Sequence, residues 1–385
     1  MKYTLEEKHP VYFRVPEDMD EDEHHVDFEI FKRYYDLQDD LDKYPNAWLY
    51  IVMSKRGPGK TYSSLFKMVN EDIRFAFLKR TKEDVKILVK GAEKADNLDP
   101  SPFVPLNRDF GWNIKPISAF DGYAGFFDMV DADGETVPGK FIGYVIAASM
   151  GSMLKGADFS VCDYMIWDEF IEQPLDVIKK RLGEGVLNIY DTIKRDRKKR
   201  GKPELKFVML ANAVKADAIM LKTLNLVDVV VEMDMLGIEY WYDERKRVMI
   251  HIIDSDFDKT EDEEPDGIEI TMEGTPWYLS NYGAHFAYND FTALGREKLK
   301  GHKCIMKILY QAREYFIYRK GNKYYFCQIK GQTDKVYNLN RENQQKLFYE
   351  EYGVDLRQAA IEDRVIFSDY TGYDLIVNYK KNFVL

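Results

Sequence analysis

Apolar residues recur at near-helical spacing over Phe28, Ile30, Phe31, Tyr34, Tyr35 and Leu37, so residues 1–45 read as an acidic entry followed by a helix. The period then shortens. Residues 47–53 form a continuous apolar run rich in aromatic and β-branched side chains, bounded by Asn46 and by a Gly/Pro cluster, which predicts a strand buried on both faces. Similar runs predict strands at 74–78, 141–147, 164–167 and 207–210. Helical patterns occupy 61–70, 82–95 and 174–193 between them. Strands alternating with helices predict an α/β fold with a mainly parallel sheet up to about residue 230.

Beyond that point the texture alters through 227–235 and 240–253 into an acidic window that reads as linker or surface loop. The expected division is a first domain over 1–230, a linker or lid region over 231–270 and a smaller α+β domain over 271–385. The clearest element of the last is a hairpin over 314–327, two aromatic-rich runs flanking Gly321-Asn322, with helical segments after it near 341–352.

A length of 385 residues agrees with two to three domains at roughly 150 residues each. A content of 45% hydrophobic residues is enough for a packed core and excludes wholesale disorder. No stretch approaches the ~18 uninterrupted apolar residues of a spanning helix, and the N-terminus lacks the basic-then-apolar order of a signal peptide, so a soluble intracellular protein without membrane partners is expected. Cys162, Cys304 and Cys327 are widely spaced and include no CxxC pair, which supports neither a disulfide framework nor a zinc ribbon.

The net charge of −11 first points away from nucleic acid. Its distribution reverses that reading. Residues 17–27 and 254–266 each contribute −7, so the rest of the chain carries +3, and residues 194–206 alone hold eight bases against Asp196 and Glu204. Phosphates can be met there by a chain that is acidic overall, although a solvated basic helix end reads the same way.

Directly after the 47–53 run comes Ser54-Lys55-Arg56-Gly57-Pro58-Gly59-Lys60-Thr61, and then a helix-compatible stretch. Strand, glycine-containing loop, GKT and helix are the parts of a phosphate-binding loop, with Ser54 where the pattern asks for Gly. Gly57 and Gly59 let backbone N–H groups turn toward phosphate oxygens, and the following helix offers its positive end. Lys60 is placed to reach the β/γ-phosphates of ATP, Thr61 to offer its hydroxyl to Mg²⁺, and Lys55 and Arg56 add positive charge beside the loop. A plain Gly-Pro turn that happens to contain GKT is the simpler alternative; the strand before it and the helix after it argue for the nucleotide site.

Phosphoryl chemistry also needs a carboxylate near Mg²⁺ and a group that activates water. The segment Tyr164-Met165-Ile166-Trp167-Asp168-Glu169 ends four strand-like residues in two acids, so Asp168 is assigned to the metal and Glu169 to general-base catalysis. A third strand ends in Ala211-Asn212-Ala213, and Asn212 is a candidate for sensing the γ-phosphate or the lytic water; a turn-forming Asn is equally compatible.

Together, SKRGPGKT with an Arg inside the loop, MIWDE, the Met153-Leu154-Lys155-Gly156 segment upstream of it and LANA resemble the large terminase ATPases of tailed phages, and most nearly the packaging ATPases of small protein-primed phages of the phi-twenty-nine type. The resemblance covers roughly residues 45–215. It implies a P-loop NTPase of the additional-strand catalytic-glutamate type, using ATP and Mg²⁺. It further implies a homo-oligomeric ring, a pentamer, at the portal vertex of a procapsid in the cytoplasm of an infected bacterial host, driving double-stranded DNA into that procapsid. A structural RNA is left open as a further partner. Residue by residue, the resemblance gives Lys60 and Thr61 the Walker A roles, Asp168 and Glu169 the Walker B roles and Asn212 the coupling role. It makes Lys155 a lysine reaching a neighbouring subunit's nucleotide, and puts a trans-acting arginine in the interval where Arg195, or alternatively Arg197, stands.

The second domain of such proteins is commonly RNase H-like, and a nuclease needs several acids around two metal ions. Here acids are scattered, with Asp254, Asp256 and Asp258 in the charge run, Glu314 on the hairpin, and Asp369 and Asp374 near the end. A nuclease-like fold without cutting activity is the expectation. Two other readings remain: another P-loop ATPase or helicase acting on nucleic acid, and a nucleotide-dependent assembly protein without motor activity.

Overall fold

The computed structural model describes residues 34–92, 99–151, 153, 154, 156–173, 181–254, 257, 265–283, 286, 288, 289 and 291–383, together with a short antiparallel pair, β1 (Thr4–Leu5) and β2 (Phe13–Arg14). The 47–53 run becomes β3 (Leu49–Ser54), every residue of which is buried. It lies in a nine-stranded sheet with β4 (Phe75–Lys79), β5 (Ile114–Phe120), β6 (Tyr123–Ala132), β7 (Glu135–Ala147), β8 (Tyr164–Asp168), β9 (Lys206–Asn212), β10 (Tyr240–Asp243) and β11 (Val248–Ile252). The order is β10-β11-β3-β9-β8-β4-β7-β6-β5. The pairs from β11 through β7 are all parallel, while β10 on one edge and β6 and β5 on the other are antiparallel. Strands buried on both faces read as unbroken apolar runs, which is why β3, β4, β8 and β9 were legible in sequence.

Helices connect the parallel strands: α1 (Leu37–Lys43) precedes β3, α2 (Lys60–Asn70) links it to β4, α3 (Lys82–Ala92) and α4 (Val104–Phe110) follow β4, and α5 (Leu182–Lys194) lies between β8 and β9. The first of these corrects the sequence reading. Tyr34 to Asp36 are not helical, and the helix starts at Leu37 behind Asp36, whose side chain accepts from Gln38 N. A carboxylate at the N-cap satisfies one of the helix's unpaired N–H groups, a stronger local signal than the apolar spacing upstream. Residues 28–33 lie outside the described residues.

The strand expected at 141–147 is the second half of β7, but two further parts of the sheet were not expected as strands of it. β6 and the first half of β7 complete a long hairpin turning at Asp133 and Gly134, both with positive φ; the Asp-Gly pair is the signal that would have marked it. β10 and β11 come from the stretch read as leading into a linker, and β11 pairs with β3 from Val248↔Leu49 to Ile252↔Met53.

By contacts the chain forms two units, residues 1–224 with 233–288, and residues 225–232 with 289–385. The second unit holds a five-stranded sheet of β12 (Lys303–Tyr310), β13 (Arg313–Lys320), β14 (Lys323–Cys327), β15 (Val336–Asn338) and β16 (Val365–Phe367), in the order β15-β12-β13-β14-β16. The predicted hairpin is β13–β14, with its turn at Gly321 and Asn322. Tyr315, Phe326 and Phe367 join Phe348, Leu356 and Leu375 from the helices in one core, while Tyr318 and Tyr325 pack with Phe316 and Cys327 in a second, smaller cluster. Among the described residues no helix is long and apolar enough to cross a membrane.

Candidate active site

The tips of β3, β9 and β8 build the site. Ser54 lies opposite Asn212, and Asp168 opposite Leu210, so β9 separates the phosphate-loop strand from the acidic strand. Backbone bonds stitch the tips beyond the ladder, Ala213 N to Ser54 O at 2.9 Å and Phe170 N to Leu210 O at 3.2 Å.

Between β3 and α2 the loop turns through Gly57 at φ 105° and Gly59 at φ 79°. Both angles lie in the region that side-chain-bearing residues rarely adopt. At Gly59 space is also short, because an added Cβ would sit 3.0 Å from Tyr34 Cγ. The segment before α1 braces the loop from outside, with Tyr35 N donating to Pro58 O at 2.7 Å and Leu37 N to Ser63 Oγ at 3.1 Å. Arg56 is exposed, and its backbone N–H donates to Asn281 O at 3.0 Å.

Lys60, the first residue of α2, is buried and points back into the loop. Its ammonium donates to Ser54 Oγ, to Lys55 O at 3.1 Å and to Asn212 Oδ1 at 3.5 Å. Lys55 is buried as well. Thr61 Oγ1 donates to Asp168 Oδ1 at 2.8 Å, and Lys79 Nζ lies 3.5 Å from Asp168 Oδ2. A threonine hydroxyl beside a carboxylate at the end of a buried strand is a hard-oxygen donor pair suited to Mg²⁺ with several waters retained.

Glu169 is exposed and has φ 56°, a left-handed conformation that is uncommon for a residue with a side chain and marks local strain. Arg80 supports this turn, donating to Glu169 O at 2.8 Å and to Ile171 O at 3.1 Å. Arg56, Lys79, Arg80, Asp168, Glu169 and Gln173 share a cavity of about 380 Å³, within the usual range for a small-molecule site. Lys79 and Arg80 were missed in the sequence reading. Their signal was present, two cations directly after an apolar strand candidate next to the acidic one.

The remaining residues fall elsewhere. Lys155 lies outside the described residues. Arg195 follows α5 and is exposed. It lines a larger cavity of about 1200 Å³ with Trp48, Tyr190, Lys198 and Arg247. Trp48 and Arg247 immediately precede β3 and β11, which puts Arg195 at the end of the sheet opposite the phosphate loop, about 20 Å away along a six-residue strand. Arg197 is only 3% exposed, and its guanidinium donates to Cys162 O, Asp163 Oδ1 and Pro203 O.

In the second unit, Asp369 caps the helix Tyr370–Val377 and accepts from Tyr315 OH at 3.0 Å and Gln328 Nε2 at 2.9 Å. The Asp374 carboxylate accepts from Asn378 and Asn382. Asp254 follows β11, Glu314 pairs with Lys307, and Asp256 and Asp258 lie outside the described residues.

No family model matches the sequence, and no curated protein does. Solved structures do. The bacteriophage Phi-29 viral genome packaging motor assembly is 18% identical with a TM-score of 0.59, over 91% of this chain and 99% of that one. The Phi-28 gp11 DNA packaging motor is 17% identical with a TM-score of 0.55, over 87% of this chain and 94% of that one. The resemblance carried by the phosphate loop, the acidic strand and the third strand tip therefore holds at the level of architecture over nearly the whole length: this chain has the fold of the phi29-type phage DNA-packaging motors.

Proposed function

We propose that this protein is an ATP-hydrolysing motor that moves double-stranded viral DNA into a procapsid. The observation that carries the reading is the pairing of Thr61, at the start of the helix behind a glycine-turned loop, with Asp168 at the end of β8, with β9 inserted between β8 and the strand β3 that leads into the loop. That arrangement is the additional-strand catalytic-glutamate P-loop type. DNA packaging is what the motors whose fold it shares are described as doing; the portal, the procapsid, the homo-oligomeric ring, read as a pentamer, and the place of action at the portal vertex in the host cytoplasm follow from the family resemblance of the sequence motifs, which leaves a structural RNA open as a further partner.

In this reading the backbone N–H groups around Gly57 and Gly59 cradle the phosphates, and Lys60 exchanges its bonds to Ser54 and Asn212 for phosphate oxygens. Asn212, released in the same step, turns to the γ-phosphate or the attacking water. Thr61 and Asp168 hold Mg²⁺, which when bound neutralises charge on the phosphates. Glu169 takes the proton of the water as its oxygen attacks the γ-phosphorus, and ADP leaves. The position of Arg195 far from its own loop suits it to serve a neighbour's nucleotide, with Lys155 in a similar part. The second unit is read as a nuclease-like fold that does not cut, since Asp369 and Asp374 are both committed to capping and side-chain amides.

Steady-state ATP hydrolysis with and without double-stranded DNA and procapsids tests the proposal. Turnover that rises with both and falls by about 10²–10⁴ in Glu169→Gln, with ATP still bound, is expected. Stimulation by single strands alone would turn the assignment toward a helicase, and tight binding without turnover toward an assembly protein.

A further inference from the structure

Three residues beyond Glu169 the chain buries another carboxylate. Glu172 is 1% exposed. Its Oε1 accepts from Ile219 N at 2.9 Å, at the start of the helix α6 (Ile219–Leu224). Its Oε2 lies 3.0 Å from Lys215 Nζ, without hydrogen-bond geometry, so that contact is an ion pair alone. Lys215 stands three residues beyond Asn212, as Glu172 stands three beyond Glu169. The pair therefore ties together the segments that leave the two reactive strand tips.

The tie matters because of what lies at each end. At one end Asn212 is bonded to Lys60, and arrival of a γ-phosphate must rearrange that contact. At the other, Glu169 sits in a strained left-handed turn whose side-chain direction depends on how the next residues are held. Of the two, Glu172 is fully buried and Lys215 is 22% exposed; an ion pair with a buried member is weak evidence for stability, since the desolvation cost offsets most of the attraction. Removing one partner leaves the other charged and uncompensated, so the pair moves as a unit.

We propose that Glu172, through Lys215, is a positioning residue that fixes Glu169 relative to Asn212, so that the general base is aimed at water only when Asn212 has met the γ-phosphate. The inference rests on the ATPase reading and adds to it a residue outside the phosphate loop and the acidic pair. Glu172 touches no reacting atom, and Glu172→Gln keeps an acceptor for Ile219 N while removing the charge.

The test uses the full chain with Glu172→Gln, Lys215→Met and the double variant. We measure kcat and KM for ATP, affinity for a non-hydrolysable ATP analogue, and thermal unfolding. Each single variant is expected to lose roughly 10–100-fold in kcat while analogue affinity stays within about 3-fold, the loss typical of misaimed catalytic groups. The double variant, which buries no unpaired charge, is expected to recover unfolding temperature but not kcat. Combining Glu172→Gln with Asn212→Ala should add little to the loss from Asn212→Ala alone, because both break one linkage. Recovery of kcat together with stability in the double variant would show a purely structural pair and overturn the proposal, as would losses that multiply with Asn212→Ala. Wild-type turnover with an unaffected Glu172→Gln sinks this inference alone, whereas a wild-type chain that binds no ATP sinks the ATPase reading beneath it.

Discussion

Arg197 is bound to the carboxylate of Asp163, the residue just before β8, and to the carbonyl of Cys162, so its charge is spent on anchoring the basic loop to the foot of the acidic strand. Arg195, two residues earlier, makes no ion pair among the described residues. The two arginines therefore predict different defects. Arg197→Ala should lower the unfolding temperature, because it removes a buried guanidinium that donates to two carbonyls and to the half-exposed Asp163 carboxylate. Arg195→Ala should fold and bind ATP normally yet hydrolyse it at least roughly 10³-fold more slowly. Mixing Arg195→Ala with Glu169→Gln protein should restore part of the turnover at mixed interfaces; no complementation, with weakened DNA binding and a shallower salt dependence instead, would make the basic stretch a phosphate-contacting surface.

Asp168→Asn replaces an acceptor of the Thr61 hydroxyl by a neutral group and leaves Lys79 without its carboxylate. ATP should still bind through the loop, while the Mg²⁺ concentration needed for half-maximal hydrolysis rises by an order of magnitude or more. A Mg²⁺ titration of turnover reads this. An unchanged midpoint would remove Asp168 from the metal site.

Gly59→Ala meets two penalties at once, a left-handed backbone and a Cβ placed 3.0 Å from Tyr34 Cγ. Gly201, at φ 68° with nothing within 4 Å of an added Cβ, meets only the first. The conformational cost is about 1–2 kcal/mol for either substitution. Thermal unfolding should thus show Gly59→Ala the more destabilised, and only that variant should also lose nucleotide affinity. Equal losses in both would mean that Tyr34 yields without strain.

Burial pushes the carboxyl of Asp36 up to about 7, with Lys67 and the Gln38 N–H only partly opposing it. A folded-state value above the unfolded one of about 3.9 gives stability that is complete below about pH 4 and is lost as pH rises to about 7. Asp36→Asn keeps an oxygen for Gln38 N but never ionises. Its unfolding temperature should match wild type near pH 4, draw ahead up to about pH 7 and hold a constant lead above. A lead independent of pH would mean that Asp36 titrates normally in the folded chain.

The elements that were legible in the sequence share a physical cause. β3, β8 and β9 are covered on both faces, so each is written as a continuous apolar run; Asp168, Glu169 and Asn212 stand where two of those runs end, and Lys60 closes the loop that follows the third. Burial and chemistry are adjacent in the chain at these points. β5, β6 and β10 were not legible because edge and hairpin strands are partly exposed, and polar residues such as Lys115, Asp128, Asp131 and Asp243 interrupt their apolar runs.

The sequence by itself determined the parallel α/β core and marked the glycine-turned loop and the acidic pair at its strand tips, since each depends on a local pattern of glycine, lysine and apolar residues that is readable without neighbours. Only the tertiary structure decided that β9 lies between β3 and β8, that Lys79 and Arg80 belong to the site, that Arg197 is spent while Arg195 is not, and that Glu172 reaches Lys215. Those facts are contacts between residues distant in the chain. Side chains of the same type and similar sequence context differ there only in what the fold brings against them, and an arginine two positions from another can be buried and committed while its neighbour faces solvent.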